Sequence, residues 1–203
     1  MVFKVELEFV GGRIAFKKVF SDLDKFVVDF TSLLNKQKVG YVLVSGYVPI
    51  LFGRSRSSED VDLILEKLDS ERFERLWKAI CKKFECVNVT DKDDACQNYL
   101  LTGHSVRFSD KGKFIPNMEV KFPKTELDEW TLKERKEVKV NNKTLYISPL
   151  ELQIPYKLFL GSEKDIEDAK YLHKLFKDKV DVVLMEDFVA KLGVKNLYTE
   201  YLK

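Results

Sequence analysis

Residues 45–65 read SGYVPILFGRSRSSEDVDLIL and end with two aspartates, Asp60 and Asp62, inside a run of Val, Leu and Ile. Because successive side chains of a β-strand point to opposite faces, the pattern predicts a strand on which Asp60 and Asp62 share one face, about 7 Å apart. Two like charges held this close repel each other, and unpaired carboxylates are costly to remove from water. A divalent cation would neutralise both, so the pair is a candidate Mg²⁺ site.

The residues before this strand are of the types that bind phosphate groups. A short apolar strand over residues 41–44 leads to Gly46, where the missing side chain lets backbone N–H groups approach phosphate oxygens. Two arginines in the following loop can offer guanidinium forks to the same oxygens, and serine hydroxyls can brace that loop. The predicted phosphate-binding residues are Ser45, Gly46, Arg54, Arg56 and Ser58.

The order of these residues resembles the signature of the DNA polymerase beta-type nucleotidyltransferase superfamily. In that signature a Gly-Gly or Gly-Ser pair precedes Asp-x-Asp, and small members often have Gly-x-x-Arg-x-Ser/Thr-x-Asp-Ile-Asp. The likeness covers residues 45–62, with Ser45 at the first glycine position and Tyr47 where a small residue is usual. The members that this chain resembles are the minimal and abortive-infection toxin-like nucleotidyltransferases.

The resemblance implies a third carboxylate on an adjacent strand. Residues 117–122 alternate apolar and polar side chains as a half-buried strand does, and Glu119 is the best match on it. The aspartates between residues 91 and 94 are alternatives, and Glu119 could instead pair with Lys121 on a solvated face. The predicted catalytic and metal-binding residues are Asp60, Asp62 and Glu119.

A second resemblance lies in residues 147–158 and 164–168. Related toxin-like transferases have a similar helix with a lysine, followed by a basic-Asp-x-x-Asp run. By that analogy Lys157 would reach the triphosphate of a nucleotide, and the alternative is a solvated lysine on an amphipathic helix. Asp165 and Asp168 are expected to hold the following helix in place rather than to bind metal.

The activity that the resemblance implies is transfer of a nucleoside monophosphate from an NTP, with ATP expected, to an acceptor hydroxyl. Two Mg²⁺ ions would bridge the carboxylates and the phosphates, one activating the hydroxyl and the other offsetting charge on pyrophosphate. The acceptor is left open among RNA, protein and small molecules, and an antitoxin-like protein partner is also implied. The alternative is a catalytically silent NTP-binding or partner-binding module, which Tyr47 and a glutamate as the third carboxylate favour. A third reading is an unrelated α/β domain whose Asp-x-Asp solvates a strand end.

The predicted fold class is α+β, with a nucleotidyltransferase-type mixed β-sheet, flanking helices and a helical C-terminal portion. Residues 1–147 are expected to form the catalytic domain with an N-terminal hairpin, and residues 148–203 a helical portion packed on it. A capping box at Ser21 and apolar residues at helical spacing predict a helix that ends near Lys36. Other elements predicted are a hairpin over residues 3–16, a helix over 73–84, a helix capped by Ser148 that Pro155 kinks or divides, and a last helix over 185–192.

Composition narrows the function classes only a little. The chain has 203 residues, 35 basic and 33 acidic, and a net charge of +2, so no overall charge marks it as a nucleic-acid binder. Its three cysteines lack a C-x-x-C spacing and it has two histidines, which fits neither a zinc site nor a disulfide framework. Without a signal-peptide pattern or a long apolar run, the protein is expected to be cytoplasmic and to have no membrane contact.

Overall fold

The structure is a computed structural model that describes residues 7–203. Within that range the chain forms a nine-stranded mixed sheet. The strands are β1 (Glu8–Val10), β2 (Arg13–Phe16), β3 (Tyr41–Leu43), β4 (Asp60–Leu65), β5 (Phe84–Cys86), β6 (Val106–Asp110), β7 (Asn117–Lys121), β8 (Lys136–Val140) and β9 (Lys143–Ile147). Their order across the sheet is β1-β2-β8-β9-β3-β4-β7-β6-β5.

The helices lie between the strands and after them. In chain order they are α1 (Asp22–Lys36), α2 (Tyr47–Leu51), α3 (Ser70–Ile80), α4 (Lys92–Asp94), α5 (Glu126–Lys133), α6 (Leu150–Leu160), α7 (Glu163–Phe176), α8 (Val182–Lys191) and α9 (Lys195–Leu202). A π-helical turn, Ala95–Leu100, continues directly from α4. Across residues 7–203, none of the helices has both the length and the apolar character that crossing a bilayer requires.

One face of the sheet packs against α1 and α3. Val61 of β4, Met118 of β7 and Phe108 of β6 are directly opposite one another across three neighbouring strands, so they point to the same face. Phe30 of α1 and Trp77 of α3 both stack against Phe108. These contacts place the main hydrophobic core on this face.

The opposite face carries a polar row at the same level. Asp62 of β4, Glu119 of β7 and Arg107 of β6 are paired across the same three strands. Because side chains alternate along each strand, this row points away from α1 and α3. The polar row therefore lies where a ligand could reach it.

Most of the predicted elements are present. The capping box at Ser21 and the helix to Lys36 are confirmed, and so is a strand that contains Glu119. The hairpin is confirmed from Glu8 onward, where β1 and β2 pair in antiparallel fashion. The part of that prediction over residues 3–6 lies outside the described residues.

The C-terminal helices differ from the prediction in three respects. Ser148 does not cap α6, because Pro149 occupies the N-cap position and the Ser148 hydroxyl donates to a side chain instead. Pro155 does not divide α6, which continues to Leu160. α6 packs against α7 and α8, and such packing can outweigh a lost backbone hydrogen bond. The last predicted helix starts earlier, at Val182, and α9 follows it. The division into domains at residues 147 and 148 stays a prediction.

Candidate active site

The structure brings the three predicted carboxylates to neighbouring positions. Asp60 and Asp62 lie on one face of β4, while Val61 between them is fully buried on the other. β4 and β7 pair in parallel, with Asp60 opposite Asn117 and Asp62 opposite Glu119. Opposite residues of neighbouring strands hold their side chains on the same face. The sheet therefore places Asp60, Asp62 and Glu119 in one acidic group.

Asp62 is held where its charge is poorly compensated. Burial, followed by the charges of Asp60 and Glu119, raises the pKa of Asp62, and Lys121 and a hydrogen bond from Ser45 oppose this only in part. Within residues 7–203 neither Asp60 nor Asp62 takes part in a salt bridge; Asp60 accepts only a 3.4 Å hydrogen bond from the Ser58 hydroxyl. Two unneutralised carboxylates on one face are the hard oxygen ligands that Mg²⁺ prefers, so this pair fits the ion.

Glu119 is already engaged by neighbouring side chains. The Ser105 hydroxyl donates to its Oε1 at 2.8 Å, and Arg107 donates to its Oε2 from Nη2 at 2.7 Å and from Nε at 3.0 Å. Among the residues that the structure describes, no group of three or more His, Cys, Asp or Glu side chains is arranged to hold a metal ion. The role of Glu119 as a metal ligand therefore stays a prediction, and Arg107 would have to release it.

The turn between β3 and α2 has an unusual backbone at Ser45. This residue has φ = 57°, a left-handed conformation that favours glycine. The Gln153 side chain holds both of its backbone polar groups, because Gln153 Oε1 accepts from Ser45 N–H at 3.3 Å and Gln153 Nε2 donates to Ser45 C=O at 2.9 Å. Sequence reasoning missed Gln153. A single amide among the apolar residues at the start of α6 was the available signal.

Gly46 lets the Arg56 side chain approach the turn closely. The Arg56 Nη2 atom donates to the Gly46 carbonyl at 3.0 Å. A Cβ atom at residue 46 would lie 2.6 Å from the same Nη2 atom, which is closer than van der Waals contact allows. Glycine is therefore needed here so that Arg56 can pack beneath the turn.

The two loop arginines bind an aspartate of α7. Arg54 donates to Asp168 Oδ1 from Nε at 2.6 Å, and Arg56 donates to both Asp168 oxygens at 3.1 and 3.0 Å. The Lys157 ammonium lies 3.1 Å from Asp168 Oδ2 and donates to Asp165 Oδ1 at 2.6 Å. The structure thus places Arg54, Arg56 and Lys157 in one ion network, although the sequence predicted that each binds phosphate.

This ion network is buried. Asp168 is 0% exposed and Lys157 1% exposed. Burial alone would raise the pKa of Asp165, but hydrogen bonds from Lys157 and Ser162 hold it below its ordinary value. The network joins the loop before β4 to α6 and α7, so Asp165 and Asp168 hold helices in place, as the sequence suggested.

Tyr47 lies in the core and not beside the acid pair. It is 0% exposed, and its hydroxyl donates to Asp24 Oδ1 at 2.9 Å. Lys18 and Ser21 also bind the Asp24 carboxylate. The bulk of Tyr47 therefore takes no space from a ligand at the acid pair.

A cavity of about 480 Å³ opens beside Asp62. Its floor is the polar face of the sheet, and its walls come from α5, α6 and the loop before α5. The side chains that line it are in part polar, as at Ser45, Asp62 and Gln153, and in part apolar. Its other lining residues include Ile64, Lys121, Lys124, Leu127, Asp128, Thr131, Leu152, Tyr156 and Leu160. The volume is within the range of small-molecule sites.

Comparison with known proteins shows similarity of fold. No protein-family model matches the sequence, and no curated protein matches it. An antigenic nucleotidyltransferase-like protein from Paracoccidioides brasiliensis is similar over 87% of this chain and 89% of its own, with 16% identity and a TM-score of 0.52. The antibiotic-resistance factor ANT(2'')-Ia in solution covers 89% of this chain and 97% of its own, with 10% identity and a TM-score of 0.49. Its crystal structure with adenylyl-2''-tobramycin covers 81% and 95%, with 13% identity and a TM-score of 0.47.

The likeness to the Paracoccidioides protein, at a TM-score of 0.52, establishes the class of fold. The chain has an α+β nucleotidyltransferase-like fold. At 16% identity the likeness concerns the fold alone. The finer resemblance to toxin-like members stays a prediction.

The ion network predicts a large stability effect at Asp168. Asp168→Asn removes the buried charge that Arg54, Arg56 and Lys157 share, so the free energy of unfolding should fall by about 3–5 kcal/mol. Urea unfolding followed by circular dichroism measures this change. The control is Asp187→Asn, which breaks a half-exposed pair with Lys191 and should cost less than about 1 kcal/mol. Equal losses in the two variants would contradict a buried network.

The raised pKa of Asp62 predicts a pH-dependent effect of Asp62→Asn. Between its ordinary value of 3.8 and its raised value, folded Asp62 keeps a proton that the unfolded chain releases, so wild-type stability falls as pH rises through that window. Asparagine does not ionise, so the stability of the variant relative to wild type should increase with pH and then level off. Urea unfolding at several pH values tests this. An advantage that shrinks as pH rises would show that Asp62 is stabilised as a carboxylate.

Proposed function

We propose that this protein is a metal-dependent nucleotidyltransferase that moves a nucleoside monophosphate from an NTP, with ATP expected, to a hydroxyl of an acceptor. The observation that supports this most is the Asp60 and Asp62 pair, which lies without a cationic partner in residues 7–203 beside a cavity. The Ser45–Gly46 turn faces the same place, since Ser45 and Asp62 both line the cavity. The nucleotidyltransferase-like fold is consistent with this proposal.

Asp60 and Asp62 would hold Mg²⁺. Bound there, the ion supplies charge neutralisation for the phosphates and lowers the pKa of the attacking hydroxyl. In the transfer, the acceptor oxygen bonds to the α-phosphorus, the bond to the bridging oxygen of the β-phosphate breaks, pyrophosphate leaves, and the hydroxyl proton passes to water. Glu119, paired in register with Asp62, is the third carboxylate of this proposal and would orient the attacking group once Arg107 releases it.

The cavity beside Asp62 would hold the organic part of a substrate. Its apolar side chains suit a ring system, and Lys121, Lys124 and Asp128 offer charged and hydrogen-bonding groups. A substrate that fills it has one end at Asp62, where the chemistry is proposed. The acceptor classes to be tested are RNA, protein and small hydroxylated molecules.

In this proposal the loop arginines contribute fixed positive charge. Arg54 and Arg56 share Asp168 with Lys157, so three cationic groups meet one carboxylate, with Asp165 beside it. Three cations and two aspartates leave the network with one net positive charge, and Arg56 brings this charge to the Ser45–Gly46 turn. Such a charge favours an anionic triphosphate at the turn even while each cation keeps its aspartate partner.

The second candidate function is an NTP-binding module that does not catalyse. The pairing of Glu119 with Arg107 favours it, because a third carboxylate held by an arginine is not available to a metal or to an attacking hydroxyl. The burial of Tyr47 removes the other sequence feature that had favoured this reading. The two candidates share nucleotide binding and differ in transfer.

One experiment separates the two candidates. Calorimetric titration with Mg²⁺·ATP measures binding, and incubation with α-labelled NTPs and the three acceptor classes measures transfer. Asp60→Asn and Asp62→Asn should each lower transfer by at least about 100-fold, because each removes a metal ligand. The matched control is Asp29→Asn on the exposed side of α1, which should transfer like wild type. Transfer retained in both site variants would contradict the enzyme, whereas binding without labelling of any acceptor would favour the module.

The cavity predicts different effects for two substitutions at the end of α6. Leu160 lines the cavity and is 44% exposed, while Phe159 is 53% exposed and lies outside the lining. Leu160→Trp should crowd the cavity. The KM for the substrate that fills it should rise by about 10-fold to 100-fold, because small displacements of a substrate are costly. Phe159→Trp is the control and should leave KM unchanged. Steady-state kinetics measure KM for both variants. Equal changes in KM would mean that the substrate does not fill this cavity.

A further inference from the structure

We propose that Gln153 is a positioning residue that fixes the backbone of Ser45 and thereby shapes the turn facing Asp62. The effect on ligand binding rests on the proposed function, whereas the effect on backbone conformation does not. Gln153 belongs to α6, 108 residues along the chain from Ser45. The helical C-terminal portion would therefore complete the site and not merely cover it.

Ser45 adopts a conformation that serine rarely takes by itself. Its φ of 57° lies in the left-handed region. For a residue with a Cβ atom, that conformation is disfavoured by roughly tenfold or more in population. Glycine is free of this restriction. Without a restraint, the Ser45 backbone should therefore relax to another conformation.

The Gln153 amide is such a restraint. Its oxygen accepts from Ser45 N–H at 3.3 Å and its nitrogen donates to Ser45 C=O at 2.9 Å, so one planar group holds both backbone polar groups of one residue. The Ser148 hydroxyl donates to the same amide oxygen at 2.5 Å and orients it. Gln153 is 3% exposed, so water cannot readily replace these bonds.

The restrained residue lies between two groups of the site. On one side Val44 N–H donates to the Asp62 carbonyl at 3.0 Å, which ties the turn to β4. On the other side the Gly46 carbonyl accepts from Arg56 at 3.0 Å. A change of φ at Ser45 would therefore move the turn relative to the acid pair and to Arg56.

The test is rescue of a Gln153 variant by glycine at residue 45. Gln153→Ala should weaken Mg²⁺·ATP binding by about tenfold or more, as the turn loses its conformation. Ser45→Gly alone is the reference for the double variant, because Ser45 itself lines the site. Measured against that reference, Gln153→Ala should cost little affinity, because glycine adopts the left-handed conformation without the amide. Calorimetric titration measures all four proteins.

Two further variants separate positioning from mere packing. Gln153→Glu is nearly isosteric but has no donor for the Ser45 carbonyl, so it should bind as weakly as Gln153→Ala. Ile154→Ala removes a buried apolar side chain of the same helix, which cannot hydrogen-bond the Ser45 backbone. Its loss of stability should persist in full when Ser45→Gly is added. If Ser45→Gly rescued both helix variants equally, or rescued neither, the proposal would be overturned.

A readout without nucleotide distinguishes failure of this proposal from failure of the proposed function. In urea unfolding, the destabilisation caused by Gln153→Ala should be smaller in the Ser45→Gly background than in wild type. This coupling is expected even if the protein binds no Mg²⁺·ATP at all. Additive effects on the unfolding equilibrium would contradict the role of Gln153, whatever the ligand measurements show.

Discussion

The buried carboxylate of Asp168 determines where the loop before β4 lies. It binds Arg54 and Arg56 of that loop and Lys157 of α6, and it is fully buried. Because a buried charge persists only when its partners satisfy it, the loop is tied to α6 and α7. The same loop leads directly into Asp60, so helices far along the chain set the position of one end of the acid pair.

Asp62, in contrast, has no cationic partner within residues 7–203. Burial raises its pKa, and the negative charges of Asp60 and Glu119 raise it further. Ser45, in a left-handed backbone, is a second unfavourable feature at the same place. Folded proteins keep such features where the surrounding structure compensates for them, and they concentrate at functional sites. The compensated network and the uncompensated pair are therefore the two features on which the proposed site at this end of the sheet rests.

Local patterns were sufficient to predict the acid pair and the strand that contains Glu119, but not the long-range partners. Alternation predicted two aspartates on one face, and alternation together with a family likeness selected Glu119, which the structure pairs with Asp62. The loop arginines bind Asp168, 112 and 114 residues away, and nothing near an arginine tells whether it binds phosphate or a distant carboxylate. Gln153 was missed for the same reason. Its role depends on the backbone angle of Ser45, 108 residues away, which no local pattern indicates.

The strand order has a consequence for synthesis of the chain on the ribosome. β2 and β3 are successive in the sequence, yet β8 and β9 lie between them in the sheet. During synthesis, β2 and β3 therefore lack the two strands between them until residue 147 has emerged. Arg56 lacks its partner Asp168 until α7 has followed. Folding must wait for these late contacts. A chain synthesised only as far as β4 thus carries the acid pair without the scaffold around it, and any chemistry there is delayed until α7 has been made.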